Sequence, residues 1–477
     1  MTSPQATNLQ PLTGLSRPLL LGCGGSFLAF LDVTITNLAV PAVQRDFGGL
    51  SIHAVSWVIT LYTILFAALL APAGRMADTL GRRKLFGIGL ATFTAASLLA
   101  AVAPSFGVLL VARAGQGVGA AALMPASLAL VLADTAAHRR AAAIGWWSAA
   151  AALAAATGPV LGGVLVNSFG WRSLFVINLP AGVLLGWLAV RLPASATRRG
   201  RAPDLLGTAL LTAGIGLLLL ALTNGPAWGW TGLPSLSCLL GAAALISAAL
   251  RRSARHPRPA IEVGLWHSPA YASANAVSLL FGAALYATLL LGVLFLTQIW
   301  RYSELQAGLA MSPGAAASAA VGITLGRLSR RPSPRILTAV GALGLAATSA
   351  ALAVWLPATP HFLLVWLPAG LITGVAVGAL SNGVSTAAAL SVPPPRFGAA
   401  TGLNIAARQV GGAFGVAVLA ILLTGHRAAD VSAYQGIYVF CTLACLTAAL
   451  LAARLVLPTQ APPAPLTAAD AEMTPGA

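Results

Sequence analysis

Leu31-Asp32-Val33-Thr34-Ile35-Thr36-Asn37-Leu38-Ala39-Val40-Pro41 closes the first long apolar run of the chain and puts a carboxylate where hydrocarbon is expected. Asp32 follows Leu19 by thirteen residues. At about 1.5 Å per helical residue that is about 20 Å into a hydrocarbon core about 30 Å thick. An ionisable side chain at such depth costs at least about 2.5–3.5 kcal/mol, so it marks a candidate functional site. Gly25, Ala29 and Thr36 stand at helical spacing from it, small or polar, as suits a face turned to a cavity rather than to lipid. The competing reading is a carboxylate near the outer interface that simply meets water.

Composition settles the broad class. The 477 residues are 58% hydrophobic and only 8% charged, with a mean hydropathy of +0.86. Such a chain reads as a polytopic membrane protein. The net charge of +17 comes mostly from arginines in alternate loops, the positive-inside pattern. Nucleic-acid binding would need one solvated basic face, which the sequence lacks. Cys23, Cys238, Cys441 and Cys445 all lie in apolar runs without metal-ligand spacing and read as packing residues. The first run has no A-x-A-like cleavage site, so it reads as a retained span rather than a cleaved signal peptide.

Spanning runs occur near 18–40, 54–73, 84–103, 106–132, 141–166, 172–192, 205–224, 233–250, 270–298, 304–326, 335–357, 361–390, 398–424 and 434–456. The predicted fold is all-α, with fourteen transmembrane helices and both termini on the cytoplasmic side of the cell membrane. Loops carrying Arg82, Arg83, Lys84, Arg139, Arg140, Arg198, Arg199, Arg201, Arg251, Arg252, Arg255, Arg330 and Arg331 share that side. The expected organisation is a cytoplasmic segment over 1–17, a six-helix bundle over 18–192 and two inserted helices with basic connectors over 193–268. A second six-helix bundle then covers 269–457, and a disordered cytoplasmic tail 458–477. A short echo between Gly74–Lys84 and Gly326–Arg335 fits two parallel-repeat halves.

Six stretches carry a resemblance. Gly74-Arg75-Met76-Ala77-Asp78-Thr79-Leu80-Gly81-Arg82-Arg83-Lys84 resembles the G-x-L-A-D-R-x-G-R-R/K signature of the major facilitator superfamily, with Met76 and Thr79 departing from it. Val111-Ala112-Arg113-Ala114-Gly115-Gln116-Gly117-Val118-Gly119-Ala120-Ala121 resembles the R-x-x-Q-G-x-G-A-A element of the fourth helix. Gly145, Ala154, Gly158, Pro159, Gly162 and Gly163 follow the antiporter motif of the fifth, with Ala154 in place of the middle glycine. Leu31–Pro41 and Thr401–Gly412 are similar to the fourteen-helix drug:proton antiporters, the EmrB/QacA group, as is Trp171–Pro180. The resemblance runs from about residue 19 to 456. It implies two six-helix bundles plus two inserted helices, and proton-coupled efflux of hydrophobic small molecules, cationic ones included, with no cofactor beyond the proton gradient.

The residues can be weighed beside that resemblance. Arg113 lies about six residues into the fourth run, roughly 9 Å below the outer face and close to the depth of Asp32. The two are expected to lower each other's desolvation cost, Arg113 modulating the protonation of Asp32. The alternatives are a purely structural pair or no contact. The family implies a gate at Gly74, Asp78, Gly81, Arg82 and Arg83, with Asp134 as the partner of Arg82. Arg330 stands where the second half would need an acidic residue, so gating chemistry is expected only in the first copy. Gly158-Pro159 and Gly162-Gly163 predict a close-packed, bent fifth helix, and the resemblance makes it a seam between the halves. Thr36, Asn37, Gln116, Asn178, Gln298, Asn404 and Arg408 are candidate substrate-cavity residues, as are several aromatics including Trp147 and Phe295. Gly115–Gly119 is no dinucleotide loop, because no strand precedes it. No metal or Ser/His/Asp constellation is evident, so no enzymatic activity is expected. Expected partners are the bilayer, protons and a small-molecule substrate. The rival functions are an importer or symporter of the same fold and a non-transporting membrane sensor.

Overall fold

In a computed structural model the described residues are 16–36, 39–48, 50, 52–192, 204–328, 332–423 and 431–455. The sequence expectations for Asn37, Arg198, Arg199, Arg201, Arg330, Arg331 and the two terminal segments fall outside them. Among the described residues sixteen α-helices follow one another. They begin α1 (Arg17–Thr36), α2 (Val40–Asp46), α3 (Ile52–Leu80), α4 (Arg82–Ala101), α5 (Phe106–Ala133) and α6 (Arg140–Phe169). Then come α7 (Ser173–Val176), α8 (Asn178–Val190), α9 (Leu205–Trp228), α10 (Leu233–Arg255) and α11 (Pro269–Gln298). The last are α12 (Glu304–Arg327), α13 (Pro334–Val354), α14 (Leu367–Leu390), α15 (Phe397–Leu423) and α16 (Val431–Ala452). Fourteen helical segments among the described residues are long and apolar enough to cross a membrane, the number read from the sequence.

Two boundaries differ from the hydropathy reading. The described part of the first span runs to Thr36, and a separate short α2 starts at Val40 with Pro41 in its first turn. A proline there lacks the N–H that a continuing helix would need. The sixth span is divided at Ile177 into α7 and α8. Helix starts are otherwise orthodox. Ser105, Ser268 and Ser333 cap α5, α11 and α13, and Ser303 forms a capping box with Gln306 on α12.

Apolar packing separates two groups of helices. One core draws only on residues from Ala274 to Leu455. Another draws on α1, α3, α4, α5, α8 and α9, and reaches Phe397, Ala400, Ile405 and Ala406 of α15. The groups touch where α3 crosses α15 and where α6 crosses α12. Helix α9 lies against α3 and α15, while α10 packs on α9 and turns Leu233, Leu240 and other apolar side chains outward. Helix alternation places Arg82, Arg140, Arg191, Arg252 and Arg396 at one end, here the basic face. Contacts of Arg83 with the Val190 carbonyl and of Arg82 with the Pro394 carbonyl tie that face together across the sequence.

Candidate functional site

Asp32 sits deep in α1, and its side chain is 0% exposed.

 Within α1 it is the sixteenth of 20 residues, and α5 brings Arg113 against it at 1% exposure. Arg113 Nη1 donates to Asp32 Oδ2 at 2.7 Å. Its Nε donates to the Val58 carbonyl at 2.8 Å, and Nη1 also reaches Gln116 Oε1 at 2.7 Å. Gln116 Nε2 and Asn178 Nδ2 donate to Asp32 Oδ1 at 3.0 and 2.9 Å. The guanidinium stacks on Tyr62, 4.4 Å from its ring centre. A buried Asp–Arg pair is tolerated only when such extra hydrogen bonds complete it.

The sequence brings these groups together through helix geometry. Arg113 and Gln116 are three apart and share a face of α5. Asn178 opens α8 directly after the break at Ile177, which sets its amide beside α1. Ser97 of α4 accepts from Gln116 at 2.8 Å and from Asn178 at 3.4 Å, and donates to the Phe93 carbonyl at 2.8 Å. Every donor around Asp32 points an N–H at a carboxylate oxygen. Oδ1 accepts two of these bonds, and a proton added there would set donor against donor and loosen α1 from α5 and α8. Asn178 Oδ1 and Tyr62 Oη are buried with no partner among the described residues.

A second cluster seals the basic face. Gly74 of α3 meets Gly398 and Gly402 of α15 so closely that a Cβ on Gly74 would lie 2.2 Å from the Gly398 carbonyl oxygen. Asp78, one turn on, accepts from the backbone N–H of Gly398 at 3.0 Å and of Ala399 at 2.8 Å. These N–H groups belong to the open first turn of α15, whose dipole favours an anion. Gly81 has φ 102°, a turn that favours glycine, and starts α4 at Arg82. Arg82 lies 3.5 Å from Asp78 and donates to the Pro394 carbonyl at 2.5 Å. Glu262, in the connector after α10, pairs with Arg75 of the first group and with Arg396, before α15, at 2.9 Å.

The predicted residues fall in several places. Thr36, Gln116 and Asn178, expected in a substrate cavity, gather at Asp32. Thr36 is buried and donates to the Asp32 carbonyl at 2.6 Å. Gln298 accepts from Tyr434 at 3.1 Å, and Asn404 donates to the Ala274 carbonyl at 3.3 Å. Trp147 and Phe295 belong to apolar cores, one in each group of helices. The expected Asp134–Arg82 pair is not formed. Asp134 is exposed just past the end of α5, while Arg82 is taken by Asp78 and Pro394. Arg83 donates to the Val190 carbonyl at 2.7 Å, inside the first group of helices.

The glycine motif of α6 divides. At Gly145 a Cβ would meet the Gly322 carbonyl of α12 at 2.8 Å, so this end is a seam between the groups. At Gly158 it would meet Thr34 Oγ1 of α1 at 2.0 Å, within one group. Ala154 is buried and its carbonyl faces Thr34 at 3.5 Å, Gly162 is buried, and Gly163 has open space around it. Pro159 lies within α6, which runs unbroken to Phe169. The expected seam between the halves at Gly158-Pro159 and Gly162-Gly163 is corrected at Gly158, which packs on Thr34 of α1, while it is Gly145 that packs on α12. Ser97, Tyr62 and Glu262 were not singled out by sequence.

The family profile described as Major Facilitator Superfamily matches residues 22–416, with a second match over 276–475. Multidrug resistance protein Stp of Mycobacterium tuberculosis is 34% identical over 412 residues, covering 85% of this chain and 75% of that protein. Cephamycin export protein CmcT of Amycolatopsis lactamdurans is 34% identical, covering 85% and 84%. Puromycin resistance protein pur8 of Streptomyces alboniger is 37% identical, covering 86% and 82%. Among solved structures, the human organic anion transporter MFSD10 (TETRAN) superposes with a TM-score of 0.66 at 16% identity, covering 91% of this chain and 100% of that one. At that identity the likeness shows the fold alone.

Proposed function

Because the chain belongs to the major facilitator superfamily, we propose that it exports hydrophobic small molecules, cationic ones included, in exchange for protons. The observation that carries this reading is the fully buried Asp32–Arg113 pair inside a membrane helix bundle. The export and resistance names of the relatives support the direction of transport.

The basic face lies in the cytoplasm on this reading, as positive-inside charge requires. The structure is then closed toward the cytoplasm, with Asp78 latched to α15 and glycine contacts sealing α3–α15 and α6–α12. Alternating access rocks α1 and α3–α8 against α11–α16. Protonation of Asp32 disturbs the Gln116, Asn178 and Arg113 bonds that hold α1, α5 and α8 together, and so biases the rocking. Return of the proton on the other side restores them. A two-state element biased by one group is sufficient for coupling.

Proteoliposomes under an imposed pH gradient test the proposal. Asp32→Asn should fold and insert, yet lose efflux driven by the gradient. Undiminished gradient-driven efflux by that variant refutes the role of Asp32, and substrate uptake accompanied by inward proton flow identifies an importer instead.

A further inference from the structure

Arg408 lies eleven residues past the start of α15, about 17 Å along a helix that spans the bundle. Its guanidinium stacks over Phe281 of α11, 5.1 Å from the ring centre. Its two Nη atoms donate only to hydroxyls of α14, Ser381 at 3.3 Å and Ser385 at 3.1 Å. Its Nε is buried and has no acceptor among the described residues. Arg113 offers the contrast, since its carboxylate is 2.7 Å away.

The sequence explains why no carboxylate compensates Arg408. Of ten acidic residues, only Glu304, Asp430, Asp470 and Glu472 follow α11's start. Glu304 is the first residue of α12, Asp430 directly precedes α16, and the other two follow the last helix. Apart from Glu304 at the first position of α12, the sequences of α11 to α16 therefore contain no acidic residue. Asp32, the carboxylate at comparable depth in the first group, is already held by Arg113, Gln116 and Asn178. A cation at that depth is costly without an anion. A guanidinium with a vacant Nε and hydroxyl-bound Nη atoms keeps half of the fork that grips a carboxylate side-on.

We propose that Arg408, with Ser381 and Ser385, is a binding site for the carboxylate of an organic anion, which the cargo supplies as the missing counter-charge. Phe281 offers an apolar surface to the rest of such a molecule. Helices α14 and α15 also contact α6 and α3 of the first group, so an anion bound here lies beside the elements that move against each other. This rests on the exporter reading and adds hydrophobic acids to its cargo.

The test uses dansylglycine and its methyl ester, one fluorophore with and without the charge. Fluorescence titration of the purified full chain in nanodiscs should show the acid bound roughly tenfold or more tighter than the ester, as a charge-assisted pair implies. Arg408→Gln should bring the ratio to about one without weakening the ester, and Arg408→Lys should keep part of the preference. Equal binding of acid and ester by the wild type, or an unchanged preference in Arg408→Gln, overturns the site. Ethidium efflux under a pH gradient separates the two readings. A wild type that pumps ethidium but treats acid and ester alike loses only the anion site. One that binds the acid through Arg408 yet moves neither compound loses the exporter reading and keeps the site.

Discussion

The carboxylate of Asp78 on α3 stands 2.8 Å from the backbone N–H of Ala399, the third residue of α15, and so joins two groups of helices by a side chain against a helix end. Hydrogen bonds to a charged group contribute about 1.5–3 kcal/mol. Asp78→Asn replaces one oxygen by an amide that repels the N–H it faces. It should shift the equilibrium toward a structure open at the basic face by about tenfold or more. Electron–electron distances between spin labels at the exposed positions Ala137 and Pro395 should lengthen; an unchanged distribution would show that the bond does not hold the face shut.

Glu262→Gln acts on the same face through Arg75 and Arg396. Arg396 is 48% exposed, and pairs of that kind are worth about 0–1 kcal/mol. The same labels should lengthen by a smaller population than in Asp78→Asn. A larger shift would make the connector, rather than Asp78, the main latch.

Gly74→Val tests the close approach itself. Its Cβ would press on the Gly398 carbonyl oxygen at 2.2 Å, a backbone atom that cannot swing aside. Transport should fall by at least about tenfold with the protein still inserted, because separating the helices costs more than about 1.4 kcal/mol. Normal transport by this variant would mean that α3 and α15 never need to meet.

Arg113→Met leaves Asp32 buried without its cation, which should lower stability by about 3–5 kcal/mol. Adding Asp32→Asn removes the stranded charge and should recover part of the loss. Thermal unfolding of the two variants in the same detergent measures this, and a double variant less stable than Arg113→Met would rule out charge burial as the cause.

At the opposite face Asp46 accepts from Arg172 at 2.7 Å and from the Trp171 indole at 3.1 Å. The hydrogen bond from Arg172 holds its carboxyl below the usual carboxylate range, and that from Trp171 adds to it. A lowered value stabilises the folded state above the ordinary pKa near 3.9 and is lost as pH falls through the lowered one. The melting-temperature gap between wild type and Asp46→Asn should therefore close as pH drops from about 5 to below 3. A gap independent of pH would assign the effect to packing.

Much of this arrangement is legible in the sequence. Asp32 and Arg113 announce themselves as charges in apolar runs, and rise per residue alone places them at one depth. Asn178 and Gln116 are visible as polar residues in spans, but not their convergence on Asp32, which depends on the break at Ile177. Ser97 carries no signal, because a serine in a membrane helix ordinarily bonds the carbonyl four residues back, as it also does here. Glu262 lies among Pro and Arg in a connector and reads as solvated charge; only the folded chain sets it between Arg75 and Arg396. Among 50 glycines, spacing does not tell Gly74 or Gly145, which touch the other helix group, from Gly158, which touches α1.

The salt bridge at Asp32 has an electrical consequence. Ionised, Asp32 and Arg113 sum to zero, and the bilayer field does no net work on their motion. Proton uptake leaves the arginine's charge unbalanced, and a full crossing of the field by one charge is worth about 2.3 kcal/mol per 100 mV. Membrane voltage should thus pull on the proton-loaded bundle and ignore this pair in the unloaded one. Capacitive currents after a pH jump on a solid-supported membrane should appear in the wild type and vanish in Asp32→Asn.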